Sequence, residues 1–275
     1  MNIQVPTIAA RLLPNPPEGA ELLRSSPDHV PRPDLRWNGT LPATVHEYRN
    51  GDGSLATLIA RFETTEGKKI MPVTLWRSPD GRLDWCCKAL PDNRPLYRLP
   101  NLLAAPDRTV LISEGEKCAD AAAGFTNFVS VTWMGGCKAI MKTDLTRLAG
   151  RNVIILPDHD EPGQQAAAQL EQTLRDLGAA SVQLLDIARL AQECGLESVP
   201  GFDIADATAG GLDAARFEAL LALPGMLTEV APSASNAATF NPGDLPEDPV
   251  QREILERFGI RPEDIPGYSR SRATG

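Results

Sequence analysis

Aromatic residues make up only 5% of the 275-residue sequence, and histidine occurs three times, at His29, His46 and His159. The five cysteines, Cys86, Cys87, Cys118, Cys137 and Cys194, include no C-x-x-C pair. These shortages argue against a zinc ribbon, a disulfide framework and a nitrogen and sulfur metal site, so any metal is expected on oxygen ligands. Long apolar runs are missing too: no stretch approaches the ~20 residues that a membrane-spanning helix needs. The opening residues, MNIQVPTIAARLLPNPPEGAE, lack the basic start, apolar stretch and small-residue cleavage site of a secretory signal. A cytoplasmic protein with no membrane partner is the expectation. A G-x-x-x-x-G-K-[ST] phosphate loop is also absent. What remains is an ordinary soluble composition, 42% apolar and 23% charged, long enough for one sizeable core plus a smaller unit.

The net charge of -9 is unevenly spread. Residues 36–98 carry ten Lys or Arg against seven acids, while residues 99–228 carry nine against seventeen. Contact with a polyanion therefore belongs to the first of these stretches, and the acidic middle needs another use. The basic stretch also holds Trp37, Trp76 and Trp85, three of the four tryptophans, among Arg61, Lys68, Lys69, Arg77, Arg82 and Lys88. Cations for phosphate and aromatic faces for bases are what a single-stranded template requires, which makes those six basic residues template-binding candidates. The same pattern also describes a small sheet with a tryptophan core and a basic solvated face.

Four regions follow from the patterning. Residues 1–35 read as an extended, Pro-rich arm. Residues 36–98 read as a small β-rich basic subdomain, with turn signals at Asn50-Gly51-Asp52-Gly53, Glu66-Gly67 and Asp80-Gly81 between runs of Val, Ile, Thr, Tyr, Phe and Trp. Over 99–228 strand and helix alternate: RTVLIS, NFVSVTW, NVIIL and ASVQLLDI are strands, EKCADAAAG and EPGQQAAAQLEQTLRDLG helices. Ala166, Leu170, Leu174 and Leu177 recur at helical spacing, with Pro162 in the first turn and Gly178 placed to end the helix. Alternation of this kind predicts an α/β domain whose parallel sheet carries helices on both faces. Residues 229–275 read as a flexible linker and a short helical tail carrying Ile254, Leu255 and Phe258, either packed back on the main domain or a docking element for a helicase or another replication partner.

In parallel sheets ligands bind at the carboxyl ends of the strands, and the acids fall there. Glu114 and Glu116 follow TVLIS, Asp158 and Asp160 follow VIILP, and Gly135-Gly136 follow VSVTWM. Neighbouring strands would gather four carboxylates on one rim, where mutual repulsion raises pKa values unless a cation such as Mg2+ intervenes. Helix capping is the competing reading, with Ser113 and Glu116 as a capping box and Asp160 as an N-cap. Lys117, Lys138 and Lys142 are placed to meet a triphosphate or simply to stay solvated, and the glycines to admit a phosphate or make a turn. His159, between the aspartates, points away from them by alternation and is not expected to be a ligand.

The segments VLISEGEKCADAAAG, VSVTWMGG, GRNVIILPDHDEPGQQAAAQL and GFDIADATAGG, in that order, resemble the Toprim domain of primases encoded by phages, plasmids and other mobile elements. The resemblance covers residues 95–222, without a fused zinc-binding or helicase domain. It implies a Toprim-like catalytic domain over 99–228 that joins ribonucleotides into RNA primers on single-stranded DNA, with nucleoside triphosphates as substrates and a separate helicase as partner. Glu114 is implied as general acid or base and metal residue, Asp158 and Asp160 as the Mg2+ or Mn2+ pair, and Glu116 as a further metal candidate. Asp203 and Asp206 join Lys117, Gly135, Gly136 and Lys138 as nucleotide-site candidates. Toprim proteins also include metal-dependent nucleases, and a noncatalytic nucleic-acid-binding accessory is a third reading. A topoisomerase is set aside, because only Tyr48, Tyr97 and Tyr268 are available as nucleophiles and no gate domain is evident.

Overall fold

Period-two alternation builds the first sheet of the computed structural model, which describes residues 11–229. The first ten residues of the expected arm and the linker and tail from residue 230 onward lie outside the described residues. Six strands, β1 (Leu12–Leu13), β2 (Glu21–Leu23), β3 (Thr44–Arg49), β4 (Leu55–Thr64), β5 (Gly67–Arg77) and β6 (Leu83–Cys86), run in the order β1-β6-β5-β4-β3. All pair antiparallel except β1 with β6, and β2 joins β5 along Leu75–Arg77, beyond the part of β5 that β4 covers. Among the described residues of the Pro-rich arm, two short pieces, β1 and β2, are stitched into this sheet.

Each expected turn reverses the chain. Gly53 donates its N–H to Asn50 O at 2.9 Å and Gly81 to Ser78 O at 2.8 Å, while Thr64 pairs with Gly67 across the residues 65–66. One face of the β4–β5 hairpin (Leu58, Ala60, Phe62, Met71, Val73) packs with Leu75 and Trp85 into a core of its own. Its other face carries Ile59, Arg61, Lys68, Ile70 and Pro72, and these side chains form a wall of the cleft described below.

The second sheet holds β7 (Val110–Ser113), β8 (Val129–Thr132), β9 (Asn152–Leu156), β10 (Ser181–Leu185) and β11 (Leu227–Glu229) in the order β11-β10-β9-β7-β8. Its pairs are parallel apart from β10 with β11. Val110, Ile112, Val153 and Ile155 face α1 (Leu99–Ala104) and α3 (Glu161–Asp176). Leu111, Ile154 and Leu156 face α2 (Glu116–Ala122), α4 (Ile187–Glu193), α5 (Ile204–Ala209) and α6 (Ala214–Leu221). The protein is therefore α/β, with a mostly parallel sheet covered on both faces and a β-rich part ahead of it. Ala166, Leu170 and Leu174 are the buried stripe of α3, and truncating either leucine to alanine should cost about 2–5 kcal/mol. Among the described residues no helix is long and apolar enough to cross a membrane.

Candidate active site

Glu114 leaves the sheet directly after β7, and Asp158 leaves it two residues after β9. The two strands are neighbours in register, Ser113 opposite Leu156, so both acids emerge at one edge. Thr132, at the end of β8, brackets Glu114: its hydroxyl donates to Ser113 O at 2.6 Å and accepts the Gly115 N–H at 3.0 Å. A third acid arrives from far along the chain. His159 donates its N–H to Phe202 O at 2.8 Å and accepts from Gly201 at 3.0 Å, which draws Asp203 against the loop that carries Asp158. Ligand atoms of Asp158, Asp203 and Cys118 then lie within 4.8 Å of one another.

These groups line a cleft of about 430 Å3, a size suited to a small-molecule ligand. Its floor holds Glu114, Glu116, Lys117, Cys118, Asp158 and Asp203; the β4–β5 hairpin supplies the facing wall. A larger depression, about 700 Å3, lies at the opposite end of the strands around Arg98, Arg108, Thr126 and Ser130, and none of the candidate acids reaches it.

The electrostatics are those of crowded acids. Burial, then repulsion from Glu114, Asp203 and Asp160, pushes Asp158 up to about 7. Burial also raises Glu114, although the Cys137 N–H and the Lys68 ammonium favour its charged form. Burial works to lower the Lys117 ammonium, but Asp206 at 3.2 Å and Asp203 at 3.4 Å more than offset it and leave it raised. Burial, then the nearby charges of Asp203 and Asp158, hold the Cys118 thiol far above its usual range.

Three of the candidate aspartates also serve the backbone. Asp160 is the N-cap of α3, accepting the Gly163 N–H at 2.7 Å. Gly163 is required there, since a Cβ would stand 2.7 Å from Asp158 O and 3.0 Å from an Asp160 carboxylate oxygen. Asp203 and Asp206 form the capping box that starts α5. The capping box that is the competing reading at Ser113 and Glu116 does not form. Gly115, at φ 89°, occupies the N-cap position without a side-chain bond, and the Ser113 hydroxyl is buried without a partner. A positive φ at that point swings the backbone so that Ser113 stays on the strand and Glu116 is free to bond elsewhere.

Glu116 accepts the Tyr48 hydroxyl at 2.7 Å, and Tyr48 is fully buried on β3. Beside it Asp120 receives Tyr97 at 3.2 Å, Arg98 at 3.3 Å and His46 at 3.4 Å. This polar seam joins the first sheet to α2. The Gly135-Gly136 turn, with φ of 96° and 69°, lies beside Glu114 and against Arg94: a Cβ at 136 would make ordinary contact with Glu114 Oε1 at 3.7 Å, and one at 135 would stand only 3.1 Å from Arg94 Nη1. Arg94 is a buried cation lining the cleft, bonded to Leu90 O at 2.7 Å and Met134 O at 3.2 Å. Lys138 and Lys142 are exposed on the 3-10 helix after this turn and do not line the cleft.

The six basic candidates divide by strand face. Arg61 and Lys68 line the cleft, whereas Lys69 stands 3.7 Å over the Trp37 ring on the opposite face. Lys88 lies 5.4 Å from the Trp76 ring, Arg77 pairs with Glu21, and Arg82 pairs with Asp84 and Asp80. Trp85 is entirely buried, so it is a core residue and not a base-stacking surface. Cys118, Arg94, Thr132 and Tyr48 are site residues that the sequence did not single out, and Cys118 places sulfur where only oxygen was expected.

The donor set suits a divalent ion: carboxylate oxygens of Asp158 and Asp203 lie within 4.8 Å of each other, Glu114 lines the same cleft, and Asp158 and Glu114 are raised by burial and, after it, by neighbouring acids. No family model matches the chain, and no curated protein matches it. Among solved structures, the chain is similar to a DNA primase domain from Pseudomonas aeruginosa, at 15% identity and a TM-score of 0.45, over 67% of this chain and 51% of that one. It is similar to the DnaG primase catalytic domain bound to ssDNA, at 17% identity and a TM-score of 0.39, over 64% and 49% of the two chains. The RNA polymerase domain of Mycobacterium tuberculosis primase DnaG follows at 16% identity and a TM-score of 0.34, over 77% and 74%. The chain thus spans about half the length of the first two of these structures.

Proposed function

We propose that the cleft holds a divalent cation, Mg2+ or Mn2+, together with a nucleoside triphosphate, and that the protein is a primase-like nucleotidyltransferase making RNA primers on single-stranded DNA. The reading extends to replication of a mobile element in the cytoplasm, with unwinding by a separate helicase. One observation carries it: three carboxylates from β7, β9 and the start of α5 face two cations of the β4–β5 hairpin across a cleft of nucleotide size. Asp158, Asp203 and Glu114 would hold the cation, with Asp160 and Glu116 beside them. When bound, such an ion neutralises charge on phosphate oxygens.

The chain's own groups have separable tasks. Glu114, raised by burial and held by Thr132 and the Gly135-Gly136 turn, is the group to accept a proton from an attacking hydroxyl. Arg61 and Lys68 are placed for phosphate, and Ile59, Ile70 and Pro72 between and beside them give a base an apolar surface. Lys117, tied to Asp203 and Asp206, fixes those acids instead of reaching for substrate.

The test is incubation with single-stranded DNA, labelled nucleoside triphosphates and Mg2+ or Mn2+. New short ribonucleotide oligomers are expected. Shortened template would favour a nuclease using the same acids, and binding without either product would favour a noncatalytic accessory.

A further inference from the structure

Cys118 is a sulfur among oxygens. It stands on the first turn of α2, 3% exposed, with its Sγ and one carboxylate oxygen each from Asp158 and Asp203 in a triangle no side of which exceeds 4.8 Å. A second feature borders the same place. Strand alternation puts the partnerless Ser113 hydroxyl on the face of β7 that carries Leu111, which packs in one cluster with Cys118 and Leu156. Ser113 also pairs in register with Leu156, two residues ahead of Asp158. A buried hydroxyl with no partner calls for an occupant beside it, such as an ion with its bound water.

We infer that Cys118, Asp158 and Asp203 form a cation site with a sulfur ligand, which takes a thiophilic divalent ion such as Zn2+ or Cd2+ in preference to a hard one. The inference rests on the proposed reading only in that the acidic rim holds a cation; it does not depend on which reaction occurs there. Hard Mg2+ is served by oxygen alone and leaves the thiol protonated. A thiophilic ion binds the thiolate, its proton passing to solvent. Four-coordinate zinc, with bonds of about 2.0–2.3 Å, sets neighbouring ligand atoms roughly 3.5 Å apart, so the triangle needs only a modest contraction. The fourth position opens on the cleft. Because both kinds of ion need Asp158, they exclude one another, and the sulfur makes the site sensitive to zinc.

The experiment is a titration of the full chain with Cd2+, following the sulfur-to-cadmium charge-transfer absorption in the ultraviolet, for the parent and Cys118→Ser. One equivalent of Cd2+ should develop the band in the parent, and Cys118→Ser should lack it. The Cd2+-over-Mg2+ preference should collapse by more than the about 10- to 100-fold that loss of an outer-shell partner costs a metal site. Asp158→Asn keeps the sulfur and guards against a serine variant that fails to fold; it should need more Cd2+ to reach the same band. A band that survives in Cys118→Ser assigns the sulfur to another cysteine, and a parent without a band removes sulfur from the site; either result overturns the inference. Primer synthesis with Mg2+ is read separately: if it is absent while the band is present, the proposed reaction falls and the sulfur site stands.

Discussion

Replacing Asp158 with asparagine should stabilise the cation-free protein at pH 8. Burial and three neighbouring acids raise this carboxyl from 3.8 to about 7. Because the folded-state value lies above the unfolded one, the protein has its full stability below pH about 4 and loses it progressively as pH rises through 7. An unscreened shift of that size corresponds to about 4 kcal/mol at 1.36 kcal/mol per pH unit. Asp158 opens on a solvent-filled cleft, so screening reduces the recoverable part to about 1–2 kcal/mol. For a chain of this size that is a melting-temperature gain of about 2–8 °C. Melting in EDTA at pH 4 and pH 8 measures it: the gain should be present at pH 8 and small at pH 4, close to the unfolded-state value of 3.8, where ionisation of Asp158 favours the unfolded chain little. Adding Mg2+ should raise the parent's melting point more than the variant's. An Asp158→Asn protein that melts at or below the parent in EDTA at pH 8 would refute the crowding argument.

Glu114→Gln should not lower the melting point, because no helix is capped by Glu114 and burial already disfavours its charge, while primer synthesis falls by at least about 100-fold; parental synthesis would remove Glu114 from the mechanism. Lys68→Ala should lower single-strand affinity and flatten its salt dependence by roughly one phosphate contact, whereas Lys69→Ala, on the other face of the hairpin, should change the slope little. Fluorescence anisotropy across a salt series distinguishes the two. At Asp160 the cap and the cation separate: Asp160→Asn should keep the stability and weaken Mg2+ binding, while Asp160→Ala should also lose about 0.5–2 kcal/mol from α3, read by calorimetry and denaturant titration.

The acids at the strand ends were legible because β7 and β9 are short apolar runs bounded by charge, and parallel sheets present those ends together. The stripe Ala166, Leu170 and Leu174 was legible for the same periodic reason. Asp203 was harder to place. D-I-A-D reads locally as a capping box, which it is, and only the backbone pair between His159 and Phe202 brings it beside Asp158. Cys118 reads as a small residue on a helix packed to the sheet, and its chemistry follows from its neighbours alone. Tyr48 and Glu116 are 68 positions apart, so no local pattern joins them. Strands of two or three residues such as β1 and β2 carry too little alternation to be seen inside a proline-rich segment. Lys68 was separable from Lys69 in principle: Ile59, Arg61, Lys68 and Ile70 share one face by pairing, and Phe62 and Lys69 the other.

The hairpin that carries Lys68 has a consequence for how the cleft can vary. Lys68 is the second residue of β5, opposite Glu63, close to the tip. One residue added to each strand of the hairpin would turn Lys68 to the Trp37 side and out of the cleft. Two added to each would keep its face and carry it about 7 Å outward, beyond the acids it now offsets. The clearance between this cation and Glu114 is therefore set by a count of residues, and the cleft's span can be lengthened or shortened only in steps of two.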